Sequence, residues 1–448
     1  MSSVLPALFF KAKKMQTLRE ILYVINTNKF TDFNTWIGRL VVWTAAITAG
    51  LVVVFFAKTS EYAITFFFSL QNSIWWLPLI ITPVSGVIIV WTTKRWFAGA
   101  GGSGIPQTIA SLQIIEGKSQ PSNLISLKLA FGKIVLGLTA LCAGFSAGRE
   151  GPSVQVGASV MHAFRRFLPV GFTVHPQHLI LAGGAAGISA AFNTPLAGIV
   201  FAIEELGRRF EQKTNGVVIT AIILSGLVSI SLSGNYTYFG KLNVGQINRS
   251  IIIPVLISGI ICGIFGGIFS RTLIESSSYK TGLVTAFRKL HPFWWAAICG
   301  LIVALLGVIS NGAAHGSGYA YTREMLNGTV TEAWQYAPIK YLATIFTYLS
   351  GVPGGIFAPS LSIGAGIGND LVPLFGQDMA LAITALCMAG FLAGVTQAPI
   401  TTFIIVMEMI DGHEMVISLM AVTMIASITS KIFSPPLYTT LAESQSIQ

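Results

Sequence analysis

The chain has 448 residues, 53% of them hydrophobic and 10% charged, where a soluble domain carries roughly 25% charged residues. This excludes a soluble globular protein and predicts an all-α polytopic membrane protein, because many apolar runs approach the roughly 20 residues of a membrane helix. The net charge of +10 is not a nucleic-acid footprint, since the cations sit in short segments between apolar runs.

Lys11, Lys13, Lys14 and Arg19 come before the first long apolar run. By the positive-inside rule they predict a cytoplasmic N-terminus; the membrane expected is a plasma (inner) membrane. No cleavable signal peptide is expected, because these cations follow the first apolar residues instead of preceding them. Apolar runs then occupy 41–57, 76–91, 129–147, 195–203, 216–232, 251–269, 294–309, 379–395, 399–407 and 415–427. Between them lie Lys94 and Arg95, then Arg208, Arg209 and Lys213, then Arg271, Lys280, Arg288 and Lys289. The expected organisation is a cytoplasmic segment 1–35, transmembrane halves 36–232 and 233–430, and a C-terminal segment 431–448. Cys142, Cys262, Cys299 and Cys387 read as buried small hydrophobes. The six histidines form no metal-ligand spacing, so neither a metal nor a cofactor is expected.

Glycine is abundant, at 46 residues, with 18 prolines. In a membrane protein this points to close helix packing and interrupted helices. An internal repeat is present. A shift of 207 residues lays GPSVQVGA (151–158) on APSLSIGA (358–365) and AGGAAG (182–187) on AGFLAG (389–394). After a three-residue gap Pro195 meets Pro399, and Glu204 meets Glu408. Two such halves are common in transporters and are often inverted across the membrane plane.

Three Gly/Pro-rich breaks each lead into a helical pattern: GAGGSGIPQTIASL (99–112), GFSAGREGPSV (144–154) and SGVPGGIFAPSL (350–361). Proline suits the first helical turn, where its missing N–H is not needed, and glycine lets the backbone turn and approach a ligand. Each break leaves free N–H groups in a medium without water, and those groups need a partner. An anion is the natural one at a helix N-terminus. The alternative, an ordinary packing kink, would serve for one break but less well for three of the same grammar.

GSGIP (102–106), GREGP (148–152) and GGIFAP (354–359), in this order, resemble the three anion-pathway signatures of the CLC family of chloride channels and proton-coupled chloride exchangers. SPPLYTTL (434–441) resembles the segment that supplies the family's pore tyrosine. The resemblance runs over nearly the whole chain. It implies a homodimer in the lipid bilayer with one pore per subunit, each built from two inverted repeats of tilted, broken helices. It also implies that Ser103 and Tyr438 donate hydroxyls to a central chloride, that the backbone N–H groups of Ile356 and Phe357 complete that site, and that Glu150 is the outer gate. Ser103 in GSGIP resembles the chloride-preferring members, and GREGP argues against the fluoride-exporting branch. The chain stops ten residues after Tyr438, so a cytoplasmic C-terminal domain is not expected and the resemblance is to prokaryotic members.

A carboxylate at a helix start can accept the N–H groups that would otherwise bind chloride. Deprotonated, Glu150 is a tethered competitor for the anion; protonated, it releases the site. Protonation and chloride occupancy are thereby linked, which is the minimum requirement for exchange. Its repeat counterpart is Phe357, so the fold does not demand an acid there. Glu204 and Glu408 correspond, and read as structural groups at helix ends or in salt bridges. Glu205 falls on Met409 and is the better candidate for an inner proton acceptor. In the family, a glutamate at the second position of such an EE pair resembles exchangers. Lys133, alone in an apolar run, either raises the local potential for anions or pairs with a buried carboxylate such as Glu204.

The expected function is a proton-coupled chloride antiporter, with chloride and protons as its partners. The alternative is a passive chloride channel on the same scaffold. An intramembrane enzyme is disfavoured, because no histidine lies in the three motifs and no GxSxG or metal motif accompanies them. A cation-coupled nutrient transporter would need cation sites at the breaks, where helix N-termini favour an anion.

Overall fold

The computed structural model describes residues 33–116, 124–170, 172, 174–207, 215–234, 237–241, 249–278, 283–328 and 334–446. The basic N-terminal segment and Arg208, Arg209, Lys213 and Lys280 lie outside these residues. Among the described residues every regular element is helical, and the only extended pairing is an isolated antiparallel bridge between Gly148 and Gly355.

The first half runs through α1 (Phe33–Ser73), α2 (Pro78–Trp96), α3 (Ile105–Glu116), α4 (Leu127–Cys142), α5 (Glu150–Ala163), α6 (Pro176–Phe192), α7 (Pro195–Phe201) and α8 (Asn215–Ser233). α7 continues into a π-helical turn, Ala202–Leu206. The second half runs through α9 (Ile252–Ser278), α10 (Leu283–Leu290), α11 (Pro292–Ile309), α12 (Tyr319–Leu326), α13 (Tyr336–Ser350), α14 (Phe357–Phe375), α15 (Ala380–Thr396), α16 (Pro399–Ile410), α17 (Val416–Ser430) and α18 (Leu437–Ser446).

Among the described residues, six helical stretches are long and apolar enough to cross a membrane: α1, most of α8 and α9, α11, and α15 and α17 with their preceding turns. The chain is a multi-pass integral membrane protein. α1 has 41 residues, or about 60 Å at 1.5 Å per residue. That is twice a hydrocarbon core of about 30 Å, so it must tilt or project beyond the core. α5 has 14 residues, about 21 Å, and cannot cross alone. Its residues Glu150 through His162 are all buried, so it lies inside the protein with its N-terminus at depth.

The two halves meet by a twofold relation. Glu204 accepts the N–H groups of Ile400 and Thr401 at the start of α16 (3.2 and 2.6 Å). Glu408 returns the contact, accepting from Leu196 and Ala197 at the start of α7 (3.2 and 2.8 Å). The orphan donors of each helix start are thus met by a carboxylate of the equivalent helix in the other half.

Lys133 is fully buried and donates to the carbonyls of Ala100, Gly101 and Gly102 at 2.9, 3.3 and 2.7 Å. Lys340, 207 residues on, does the same to Ala314, His315 and Gly316 at 2.9, 3.3 and 2.8 Å. The partner of Lys133 is therefore a backbone turn and not Glu204. Each lysine closes the turn before a GSG tripeptide, 102–104 and 316–318, which opens α3 or α12.

The register of the repeat differs from the sequence expectation in one place. α6 and α15 both have 17 residues and end on left-handed residues, Asn193 and Gln397. A Cβ on Gly157 would press on Gly183 O, and one on Gly364 on Cys387 O. Gly183 therefore corresponds to Cys387, not Gly390. The three-residue difference falls between α5 and α6, ahead of the segment where the matching of small residues put it.

Candidate anion site

The three breaks are hydrogen-bonded to one another. Gly148 and Gly355 exchange N–H to carbonyl bonds of 2.8 and 2.7 Å, and Gly354 N–H donates to Gly102 O at 3.2 Å. Glycine is required where they touch. Gly104 has φ +109° and a Cβ there would stand 2.6 Å from Gly151 O. Gly151 in turn faces Ser103 Oγ and lies 3.2 Å, measured from an added Cβ, from Gly355 Cα. Segments more than 200 residues apart in sequence thus bring the starts of α3, α5 and α14 together.

Ser103 and Tyr438 are 2% and 1% exposed. Their hydroxyls lie near each other, yet neither completes a hydrogen bond. A buried hydroxyl without a partner costs about 1–3 kcal/mol, so a pair of them facing one place marks a site built to receive something else. The Tyr438 ring stacks on Phe357 with centroids 5.9 Å apart and planes at 15°. Phe201 meets the same Phe357 edge-on at 6.2 Å. The first intrahelical bond of α14 is Ser360 N–H to Ile356 O, 2.9 Å. The N–H groups of Phe357 and Ala358 therefore have no intrahelical acceptor.

Glu150 is fully buried. Its carboxylate faces the backbone of Ala358 and Arg149 without a completed hydrogen bond at either oxygen. It lies over Gly148, where a Cβ would collide with Oε2. Beyond it opens a cavity of about 310 Å³ lined by Glu150, Arg149, Glu61 and Ser317 among others. Arg149 is anchored to α1 by bonds to Ala57 O and Glu61 Oε1, the latter 2.8 Å. Glu205, buried on the π-helical turn after α7, is in electrostatic reach of Tyr438, as is Glu150. Ser103, Glu150, Phe357, Ile356 and Tyr438 form one cluster, with Glu205 approaching it from α7. Sequence reasoning missed Lys340 and the second GSG turn; the 102–104 and 316–318 repeat was the signal that would have found them.

A family model described as voltage gated chloride channel matches residues 85–431. The H(+)/Cl(-) exchange transporter ClcA of Klebsiella pneumoniae is 29% identical over 394 residues, covering 83% of this chain and 79% of that protein. ClcA of Citrobacter koseri is 29% identical over 426 residues, covering 90% and 83%. The crystal structure of a slow cyanobacterial Cl-/H+ antiporter superposes with a TM-score of 0.79 at 22% identity, covering 91% of this chain and 98% of that one. A CLC-type fluoride/proton antiporter superposes with a TM-score of 0.76 at 24% identity, covering 91% and 97%.

Proposed function

Because the chain belongs to the voltage gated chloride channel family, we propose that it is an antiporter that exchanges chloride for protons, and not an enzyme. The observation that carries this is the Glu150 carboxylate, buried and unbonded where the starts of α5 and α14 meet, beside two buried hydroxyls that also lack partners. An anion site with an acidic side chain lodged beside it links proton binding to anion binding. Chloride is held by Ser103, Tyr438 and the N–H groups of Ile356 and Phe357. Dipoles bind it without a full countercharge, so it can leave. Glu150 gates the site and takes the proton on one side; Glu205 passes it on the other.

The relatives support the pairing of ions, since those with printed functions exchange protons for chloride or fluoride. Ser103 in GSGIP favours chloride. We assign 36–232 and 233–430 as the two halves, 431–448 as the segment that brings Tyr438, and 1–35 as a cytoplasmic segment in a plasma (inner) membrane protein. Exposed apolar side chains on equivalent helices, among them Ile219, Ile223 and Leu227 on α8 and Ile417, Met424 and Ile428 on α17, support cover by lipid and a second subunit, with one pore in each.

The test is proton movement into liposomes containing the purified protein. A chloride gradient is imposed without a pH gradient, and voltage is clamped with a potassium ionophore. Uphill proton movement is expected in the parent and lost in Glu205→Gln while chloride flux persists. Chloride flux without proton movement in the parent would make the protein a channel.

A further inference from the structure

The twofold relation gives the first GSG turn a mate on the other side of the gate. Ser103 and Ser317 occupy the same place in their turns. Each turn is closed by a lysine on three carbonyls. In each following helix a threonine, Thr108 or Thr322, donates back to the last glycine at 2.9 Å. Ser103 faces Tyr438 beside Gly151, whereas Ser317 lines the cavity beyond Glu150. A tyrosine stands there too. Tyr238 lines the same cavity, its ring meets Tyr319 at 4.8 Å, and its carbonyl accepts from the Tyr319 hydroxyl at 2.8 Å.

A helix start and a serine alone would be ordinary packing. The second observation is Arg149. It is 6% exposed, lines the same cavity, lies over the Tyr238 ring at 5.9 Å, and its Nε has no hydrogen-bond partner. Glu61 holds only one of its terminal nitrogens. An adjoining cavity of about 470 Å³ carries Lys58 and Arg323 with Arg149 and Glu61. Three cations therefore stand against one carboxylate, and Glu150 adds a second only when deprotonated. The nearer cavity, about 310 Å³, far exceeds the roughly 10–15 Å³ that one water needs, so an ion there keeps part of its hydration shell.

Building on the transport reading, we propose that Ser317, whose oxygen accepts the Tyr319 N–H at 3.4 Å and whose O–H is left to donate, forms with Arg149 a second anion subsite at the start of α12, which stages a partly hydrated halide on the Glu150 side before the gate yields. It is the repeat-related counterpart of the Ser103–Tyr438 site, wetter and tuned by Arg149.

Bromide is the probe, located by anomalous diffraction from crystals of the full-length protein. A peak between Ser317 Oγ and the Arg149 guanidinium is expected besides one at Ser103 and Tyr438. Ser317→Ala should lose the first and keep the second, and Ser317→Thr, which keeps the hydroxyl, should restore the first. In liposomes, Ser317→Ala should raise the half-saturating chloride on the Glu150 face by roughly tenfold, as for one lost hydrogen bond to a charged group, without moving it on the opposite face. A filled Ser103–Tyr438 site with nothing beside Ser317 overturns the proposal and leaves the transport reading standing. A Ser317 peak that persists in Ser317→Ala is an adventitious ion only, and also overturns it. Bromide at neither site overturns both readings.

Discussion

Gly148 is a lever on the gate. A methyl group at this position would press on Glu150 Oε2 and stand 3.2 Å from Pro359 Cδ and 3.3 Å from Ala358 Cβ. Gly148 does not have positive φ, so alanine fits its backbone. The proline and alanine contacts need give only by tenths of an ångström; the end of the glutamate side chain is the softest neighbour and moves furthest. Overpacking of this kind costs about 1–3 kcal/mol. The cost falls on the docked gate alone, so the ratio of docked to released Glu150 should drop by about 5- to 150-fold. Chloride efflux from liposomes, measured against pH, reads this directly. Gly148→Ala should speed efflux at alkaline pH, where deprotonated Glu150 closes the parent, and flatten the pH profile. In a Glu150→Ala background it should change nothing, because the group it displaces is gone. An unchanged profile, or equal slowing in both backgrounds, refutes the reasoning.

Glu204→Ala and Glu408→Ala should each leave two N–H groups at a helix start without an acceptor. Equal losses of about 2–4 kcal/mol are expected in unfolding from detergent, with coupling unchanged; a silent member of the pair would break the symmetry argument. Lys133→Met and Lys340→Met each strand three carbonyls and should lower the unfolding temperature alike, read by the same assay. Tyr438→Ala removes a hydroxyl that bonds nothing in the protein and a ring stacked on Phe357. Chloride affinity by calorimetry should fall roughly tenfold or more, and an unchanged affinity would remove Tyr438 from the site.

The breaks were legible because glycine and proline act locally: each motif fixes its own turn and helix start whatever surrounds it. Their meeting was not, since it needs contacts across more than 200 residues of chain. The charge of Lys133 suggested an anionic partner, but a turn with three carbonyls aimed inward offers the same negative end at no charge. Lys340 escaped notice because YAPIKYLA reads as a polar helix start. The length of α1 was hidden for a related reason. Lys58 and Glu61 interrupt its apolar run without ending the helix, because one reaches the Leu232 carbonyl and the other Arg149. The misplaced gap came from strings of small residues, which match one another at several offsets; only the paired left-handed ends of α6 and α15 fix the register.

The repeat also separates scaffold from machinery. Positions where the halves agree, Lys133 with Lys340, Glu204 with Glu408, Gly148 with Gly355, make the same contact twice. They hold the broken helices together, and a group needed for that is needed in both halves. Positions where the halves differ are free of that duty. Glu150 stands opposite Phe357, which stacks on Tyr438 instead of titrating. Glu205 stands opposite Met409, and it sits on a π-helical turn, a distortion often found at functional sites, whose counterpart in α16 is an ordinary α-helical turn. An exchanger needs its two faces to behave differently while its frame remains symmetric. In this chain the two acids proposed to carry the proton are both replaced by apolar side chains in the second half, as is their buried neighbour Arg149, which stands opposite Ile356.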